Sequence, residues 1–215
     1  MIGVKIGEKN TLSEWGLILC SDLVVGAPPI KTNWVDVPAA DGALNFSYAL
    51  AGRALYKTRP ISFRLFCNGS KGDFDSVVAD FVRYCHGKML QLWLPTDDTH
   101  YFKGIFEIDK QQSGYNQNTL KIKVTAEPYR YKNDVTAQEI TIGADGTAEV
   151  TLTNEMREVS PVFTLLSGNV TVGGNALQDN PTAFDDVRLL AGSNVLYFSG
   201  TAGSKAKVEY QEARI

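Results

Sequence analysis

No apolar run in the 215-residue sequence approaches the ~20 residues that cross a bilayer as a helix. The start, Met1-Ile2-Gly3-Val4-Lys5-Ile6-Gly7-Glu8, lacks the basic-then-apolar order of a secretory signal. Basic residues are not in excess either. The 21 Lys+Arg stand against 24 Asp+Glu, a formal net charge of −3, which argues against a protein that coats phosphate backbones. Cysteine and histidine are scarce, with three and two residues. Any disulfide scheme leaves one of Cys20, Cys67 and Cys85 over, and each sits in an apolar pattern, so a reduced, cytosolic folding environment is expected. The sequence has no Gly-x-Ser-x-Gly elbow and no Walker-type loop before a Lys-Ser/Thr pair. Tryptophan is absent after Trp93, the others being Trp15 and Trp34, which removes the simplest sign of a sugar-binding platform in the C-terminal half.

What is present is an ordinary globular composition, 44% hydrophobic and 21% charged. A chain of this length buries roughly 70% of its unfolded surface and makes one large domain or two ordinary ones. One helix is legible. Phe74, Val77, Val78, Phe81, Val82 and Cys85 form a single stripe at helical spacing. Asp73 is placed to N-cap it, Asp75 suits the positive end of the dipole, and Gly87 with Lys88 suits the other end.

Almost everything else alternates with period two. Ile61, Phe63, Leu65 and Cys67 share one strand face, with Ser62, Arg64 and Phe66 on the other. Leu90, Leu92 and Leu94 form a second strand stopped by Pro95. The turn Thr96-Asp97-Asp98-Thr99 leads into a hairpin partner, Tyr101 to Ile108, and a polar loop from Gln111 to Asn118 precedes Leu120, Ile122 and Val124. Beyond residues 133–136 the texture changes to short Val/Thr/Leu runs split by Gly- and Asn-rich turns, a β-sandwich pattern without a helix. The expected division is therefore 1–133 and 134–215.

Candidate chemistry is thin. Cys85 and His86 could pair as nucleophile and base, but helix neighbours lie at i+3 and i+4, and Cys85 belongs to the core stripe, so a buried Cys beside a helix-end His is the favoured reading. Asp97, Asp98 and His100 could begin a metal site, but no second ligand cluster completes it, and a solvated hairpin turn accounts for them. Asp73 with Asp75, and Asp185 with Asp186, read as a helix start and a turn rather than paired catalytic carboxylates. The stretch Arg53 to Arg64 carries four basic residues and two aromatics without an acid. Nucleic-acid binding could use it, but basic side chains on the outer face of a strand, solvated or at an interface, fit the spacing better.

Several stretches, in order, resemble the distal tail proteins of long-tailed phages, the Dit family. They begin with Glu14-Trp15-Gly16-Leu17-Ile18-Leu19 and Val35-Asp36-Val37-Pro38-Ala39-Ala40-Asp41-Gly42-Ala43-Leu44-Asn45-Phe46-Ser47. Tyr56 and Arg59-Pro60-Ile61-Ser62-Phe63 follow, and Ala126-Glu127-Pro128-Tyr129 closes the half. Later come Ser160-Pro161-Val162-Phe163, Gly168-Asn169-Val170-Thr171-Val172, Leu189 to Leu196 with its Gly-x-Asn turn, and Val208-Glu209-Tyr210-Gln211-Glu212. Met156-Arg157-Glu158 and Ala213-Arg214-Ile215 depart from the pattern.

The resemblance implies a mainly β fold of two β-sandwich domains, the first tail-tube-like with one flanking α-helix and the second galectin-like. It implies a non-enzymatic virion protein with no cofactor, metal or membrane association. Such a protein forms a ring, six-fold in that family, at the distal end of the tail. The ring joins the tail tube to the tip or baseplate hub, can dock peripheral receptor-binding proteins, lets DNA pass without gripping it, and is assembled in the host cytoplasm. Asp41, Gly42, Leu44 and Arg59 are the expected assembly or fold-defining positions, Asp41-Gly42 as a turn needing positive φ. Fold stability alone is an equally good reading of all four. Two rival functions remain open: a carbohydrate-binding module of a tail tip, and a tail-associated wall hydrolase working through Asp97 or Asp98.

Overall fold

The computed structural model describes residues 1–39, 41–68, 71–112 and 118–215. The chain divides into two units, residues 1–130 with Ile215 and residues 131–214. In chain order the elements up to the division are β1 (Lys5–Ile6), β2 (Lys9–Asn10), α1 (Thr11–Trp15), β3 (Leu17–Leu19), β4 (Val24–Val25), β5 (Trp34–Asp36), β6 (Ala43–Asn45), α2 (Phe46–Ala51), β7 (Arg59–Cys67), α3 (Lys71–Cys85), β8 (Met89–Leu94), β9 (Asp97–Gln112) and β10 (Thr119–Lys132). The second unit holds β11 (Thr136–Thr141), β12 (Thr147–Asn154), β13 (Val162–Ser167), β14 (Val170–Val172), β15 (Asn175–Ala176), β16 (Thr182–Ala183), β17 (Gly192–Gly200) and β18 (Lys205–Tyr210). The mainly β architecture expected from the sequence is the one found.

In the first unit the strands follow the order β2-β1-β8-β9-β10-β7-β3, with β4 also paired to β7. Alternation sets the register. In β7 every odd residue is buried, and Ile122 of β10 lies opposite Phe63. Helix α3 covers this face with Phe74, Val78, Phe81 and Cys85, all within the same core as Ile61, Leu65, Phe106 and Val124. Each such side chain, fully removed from water, stabilises the fold by about 1.5–3 kcal/mol. The helix begins at Lys71, so Asp73 sits inside its first turn and is not the N-cap; there it still faces the positive end of the dipole. At the other end Gly87 adopts φ 72 and Lys88 Nζ donates to Arg83 O at 2.9 Å, as a Gly-Lys helix end should.

Two short helices escaped periodicity. In α1, Asn10 Oδ1 accepts from Leu12 N at 2.9 Å, and Trp15 meets Phe81 edge-on at 5.2 Å. In α2 no residue is buried. The expected loop from Gln111 is shorter than its sequence suggests, since Gln111 and Gln112 extend β9; residues 113–117 lie outside the described residues.

The second unit is two four-stranded sheets, β11-β18-β13-β16 and β12-β17-β14-β15. Their inward faces share one core that includes Ile140, Leu152, Phe163, Val172, Phe198 and Val208. Phe163 lies between Phe184 at 5.9 Å and Phe198 at 6.0 Å. Asn154, almost fully buried, donates to Arg157 O at 2.7 Å and Leu189 O at 3.2 Å, tying the segment after β12 to that before β17. Among its described residues this unit has no helix.

Candidate functional site

The most unusual segment of the first unit runs from residue 31 to residue 53. Its base is tied by Lys31 N donating to Leu55 O and Lys57 N to Pro29 O, both at 2.7 Å. Within it β5 and β6 pair as an isolated ribbon, Val35 opposite Leu44, and α2 follows at once. Apart from Ala40, which lies outside the described residues, none of these residues is buried, and only Asn45 and Ser47 are even half-buried. Trp34 is 63% exposed and Leu50 74%, with Val35, Val37, Leu44, Phe46 and Tyr48 also exposed. Isolated apolar side chains on a surface are normal; this many on one arm are not, and the arm is the candidate interaction surface of the first unit. A two-stranded ribbon with a six-residue helix is moreover marginal on its own in water.

Three of the four singled-out residues fall on this arm. Asp41 and Gly42 lie in the loop between β5 and β6, and Leu44 lies in β6. Gly42 has φ 74 and open space where a Cβ would be, so backbone conformation rather than crowding is what suits glycine there. Arg59 is parted from the others. It is the first residue of β7, 5% exposed, with its guanidinium over the Phe102 ring at 5.2 Å. The outer-face expectation for the basic segment is therefore corrected at Arg59: it shares the inward phase of Ile61 and Phe63. Arg64, in the opposite phase, does face outward and pairs with Asp22 at 2.5 Å.

The remaining candidates resolve individually. Cys85 is fully buried and its thiol is pushed up to about 12, chiefly by burial, while His86 Nδ1 accepts from Ile108 N at 3.1 Å. No nucleophilic pair forms from these two. Asp97 is not simply solvated. Its Oδ1 accepts from Thr99 N at 3.1 Å and Thr99 Oγ1 at 2.7 Å, its Oδ2 pairs with Arg130 at 3.2 Å, and His100 is buried beside it. Among the described residues no group of three or more His, Cys, Asp or Glu is gathered as metal ligands. Asp75 accepts from Gln111 at 3.3 Å, and Asp185 and Asp186 form a turn in which Asp186 accepts from Asn175 at 3.0 Å.

One surface of the second unit was missed. On the outward side of β12, β17 and β14, Glu149 is opposite Tyr197, and Thr171 Oγ1 lies 2.6 Å from Ser199 Oγ. With Gly173 and Gly174 they line a cavity of about 440 Å³, and Tyr197 is 68% exposed. The signal was present as alternation: Glu149, Tyr197 and Ser199 occupy the outward phase of their strands.

A strand-rich unit with one long covering helix, followed in the chain by a two-sheet sandwich, is a fold also found in a solved phage protein. One solved structure that shares this fold is the SPP1 Dit protein (gp 19.1), matched over 100% of both chains with a TM-score of 0.69 at 9% sequence identity. That protein is described as a paradigm of the hub adsorption apparatus of phages that infect Gram-positive bacteria. No family model and no curated protein matches this sequence. At 9% identity the likeness is one of fold.

Proposed function

We propose that the chain is a structural, non-enzymatic component of a phage tail, a ring-forming distal tail protein that joins the tail tube to the tip or baseplate hub. The observation that carries this reading is the arm of residues 31–53, ordered by backbone hydrogen bonds yet without a buried residue among those described. Its occupant is a neighbouring copy of the same chain. Head-to-tail contacts that close by rotation make rings, and an open-edged ribbon with apolar side chains pairs readily with another strand and face.

The ring is six-fold, as in the family the sequence resembles, and its partners are the tail tube above and hub or receptor-binding proteins below. It sits at the distal end of the virion tail after assembly in the host cytoplasm. Its lumen passes DNA without holding it, which a net charge of −3 favours. Native mass spectrometry and negative-stain imaging test this directly. A ring from wild type, and folded monomers with the circular dichroism of the wild type from a Trp34→Ser/Leu44→Ser double variant, are expected. A strict monomer at high concentration, even beside tail-tube or hub proteins, would overturn the reading.

The outward face around Tyr197 favours a second reading, in which the second unit recognises a carbohydrate. An exposed aromatic platform with flanking hydroxyls and a carboxylate is suited to stacking on a sugar ring and accepting its hydroxyl protons. Glycan binding by the whole protein that disappears with Tyr197→Ala would establish it; no binding to host cell wall would end it.

A further inference from the structure

Arg59 is a buried cation whose guanidinium is bonded to no anion of the fold, although Asp97 lines the same cavity. Its Nε is enclosed without a hydrogen-bond partner, and no hydrogen bond or ion pair joins its guanidinium to any described residue. The group beside it is a second cation, Arg130, and burial first and Arg130 second push the Arg59 pKa down. Asp97 and an oxygen of Ile215 are already taken, pairing with Arg130 at 3.2 and 3.3 Å. The two arginines, Asp97, His100, Phe102 and Ile215 line a cavity of about 350 Å³ made wholly of first-unit residues, with Val25 and Leu94 completing its apolar wall. The Nε of Arg130 is also buried and unpartnered. An enclosed charge without a partner is costly, and a fold that keeps one has a use for it.

We propose that this cavity binds a carboxylate, seated on the terminal Nη groups of Arg59 with Arg130 at its side. A guanidinium edge offers two parallel N–H groups that match the two oxygens of a carboxylate. The apolar wall of Val25, Leu94 and Phe102 suits a carboxylate borne on a carbon stem better than an oxyanion that is polar all round. Two sources present that chemistry, a small free acid or an Asp or Glu side chain of another protein chain. The site concerns the isolated subunit and does not rest on the tail reading.

The test uses the full-length protein, with the melting titrations run at a dilution where native mass spectrometry shows only monomer, so that no neighbouring chain occupies the site. Melting temperature is followed while sodium acetate, sodium glutarate or inorganic phosphate is titrated against sodium chloride at matched ionic strength. Wild type should show saturable stabilisation by acetate and glutarate beyond that of chloride. Arg59→Met should weaken it by about tenfold or more, since a charge-assisted, two-pronged hydrogen bond is lost. Without ligand, Arg59→Met should melt no lower than wild type, because it removes an uncompensated buried charge. Arg59→Lys, which keeps charge but loses the fork, should bind more weakly than wild type and serves if the methionine variant does not fold.

Carboxylates that act no better than chloride, act equally on the variants, or are surpassed by phosphate would each overturn the proposal. The source is read by native mass spectrometry. If acetate and Arg59→Met both shift the oligomer toward monomer, the carboxylate belongs to a neighbouring chain; if the oligomer is unmoved while acetate binding is lost, it comes from solution.

Discussion

The β5–β6 ribbon and the β12–β17 pair are both antiparallel ladders with regular registers, yet they differ in everything that holds a ladder in place. In β12, Val150, Leu152 and Asn154 alternate inward onto a core; in β5 and β6 no residue is buried. Net backbone hydrogen bonding contributes about 1 kcal/mol per bond, while ordering each residue costs about 1–2 kcal/mol. The second ladder is stabilised by what it covers. The first has the same bonds without a buried residue, and in the proposed ring a neighbouring subunit supplies the missing cover.

That contrast can be broken by truncating one side chain in each region. Phe163→Ala, deep in the second-unit core, should cost about 3–5 kcal/mol in chemical denaturation. A loss below about 1 kcal/mol would show that the sandwich is not packed as described. Tyr210→Phe should cost about 1 kcal/mol, because its buried hydroxyl donates to Thr153 O at 2.7 Å.

Lys132 gives a smaller, pH-dependent effect. Its Nζ donates to Glu212 at 2.6 Å, and that bond above all raises the ammonium pKa from 10.5. A cation with a folded pKa above its unfolded one stabilises fully below the unfolded value and loses that stabilisation as pH rises through the folded value. Stability should therefore fall above about pH 10.5 in wild type and fall less in Lys132→Met, by under about 1 kcal/mol because the side chain is 40% exposed. Smallest of all, Trp34→Ala should change subunit stability by less than about 0.5 kcal/mol despite deleting a larger side chain than Phe163. Its effect should show in sedimentation as a weaker oligomer.

Much of this was legible in sequence where periodicity reports burial. The stripe Phe74 to Cys85 is the buried face of α3, and the odd residues of β7 are the buried ones. The same phase places Arg59 inward, a reading that its basic neighbours obscured. Helices α1 and α2 were not legible, because five and six residues are too few for a stripe. The arm misleads in the opposite sense: Val35 and Val37, then Leu44 and Phe46, alternate like strands with a buried face, and alternation cannot say that no residue of the same subunit lies beneath. The Arg59 cavity draws on β4, β7, β8, β9 and β10, and only tertiary folding brings these together.

The uncovered arm has a calorimetric consequence. The described residues of 31–53 keep more of their surface in water than core residues do, with Trp34 63% and Leu50 74% exposed, so they add less to the heat capacity of unfolding than the roughly 12–15 cal/mol/K of an average residue. A lone subunit should melt with a smaller heat-capacity step than its length implies. In the proposed ring the shortfall returns, with negative sign, as a neighbour covers the arm. In the proposed ring, part of the hydration change that other proteins complete on folding is deferred to the moment of association, and assembly should weaken on cooling as apolar burial does.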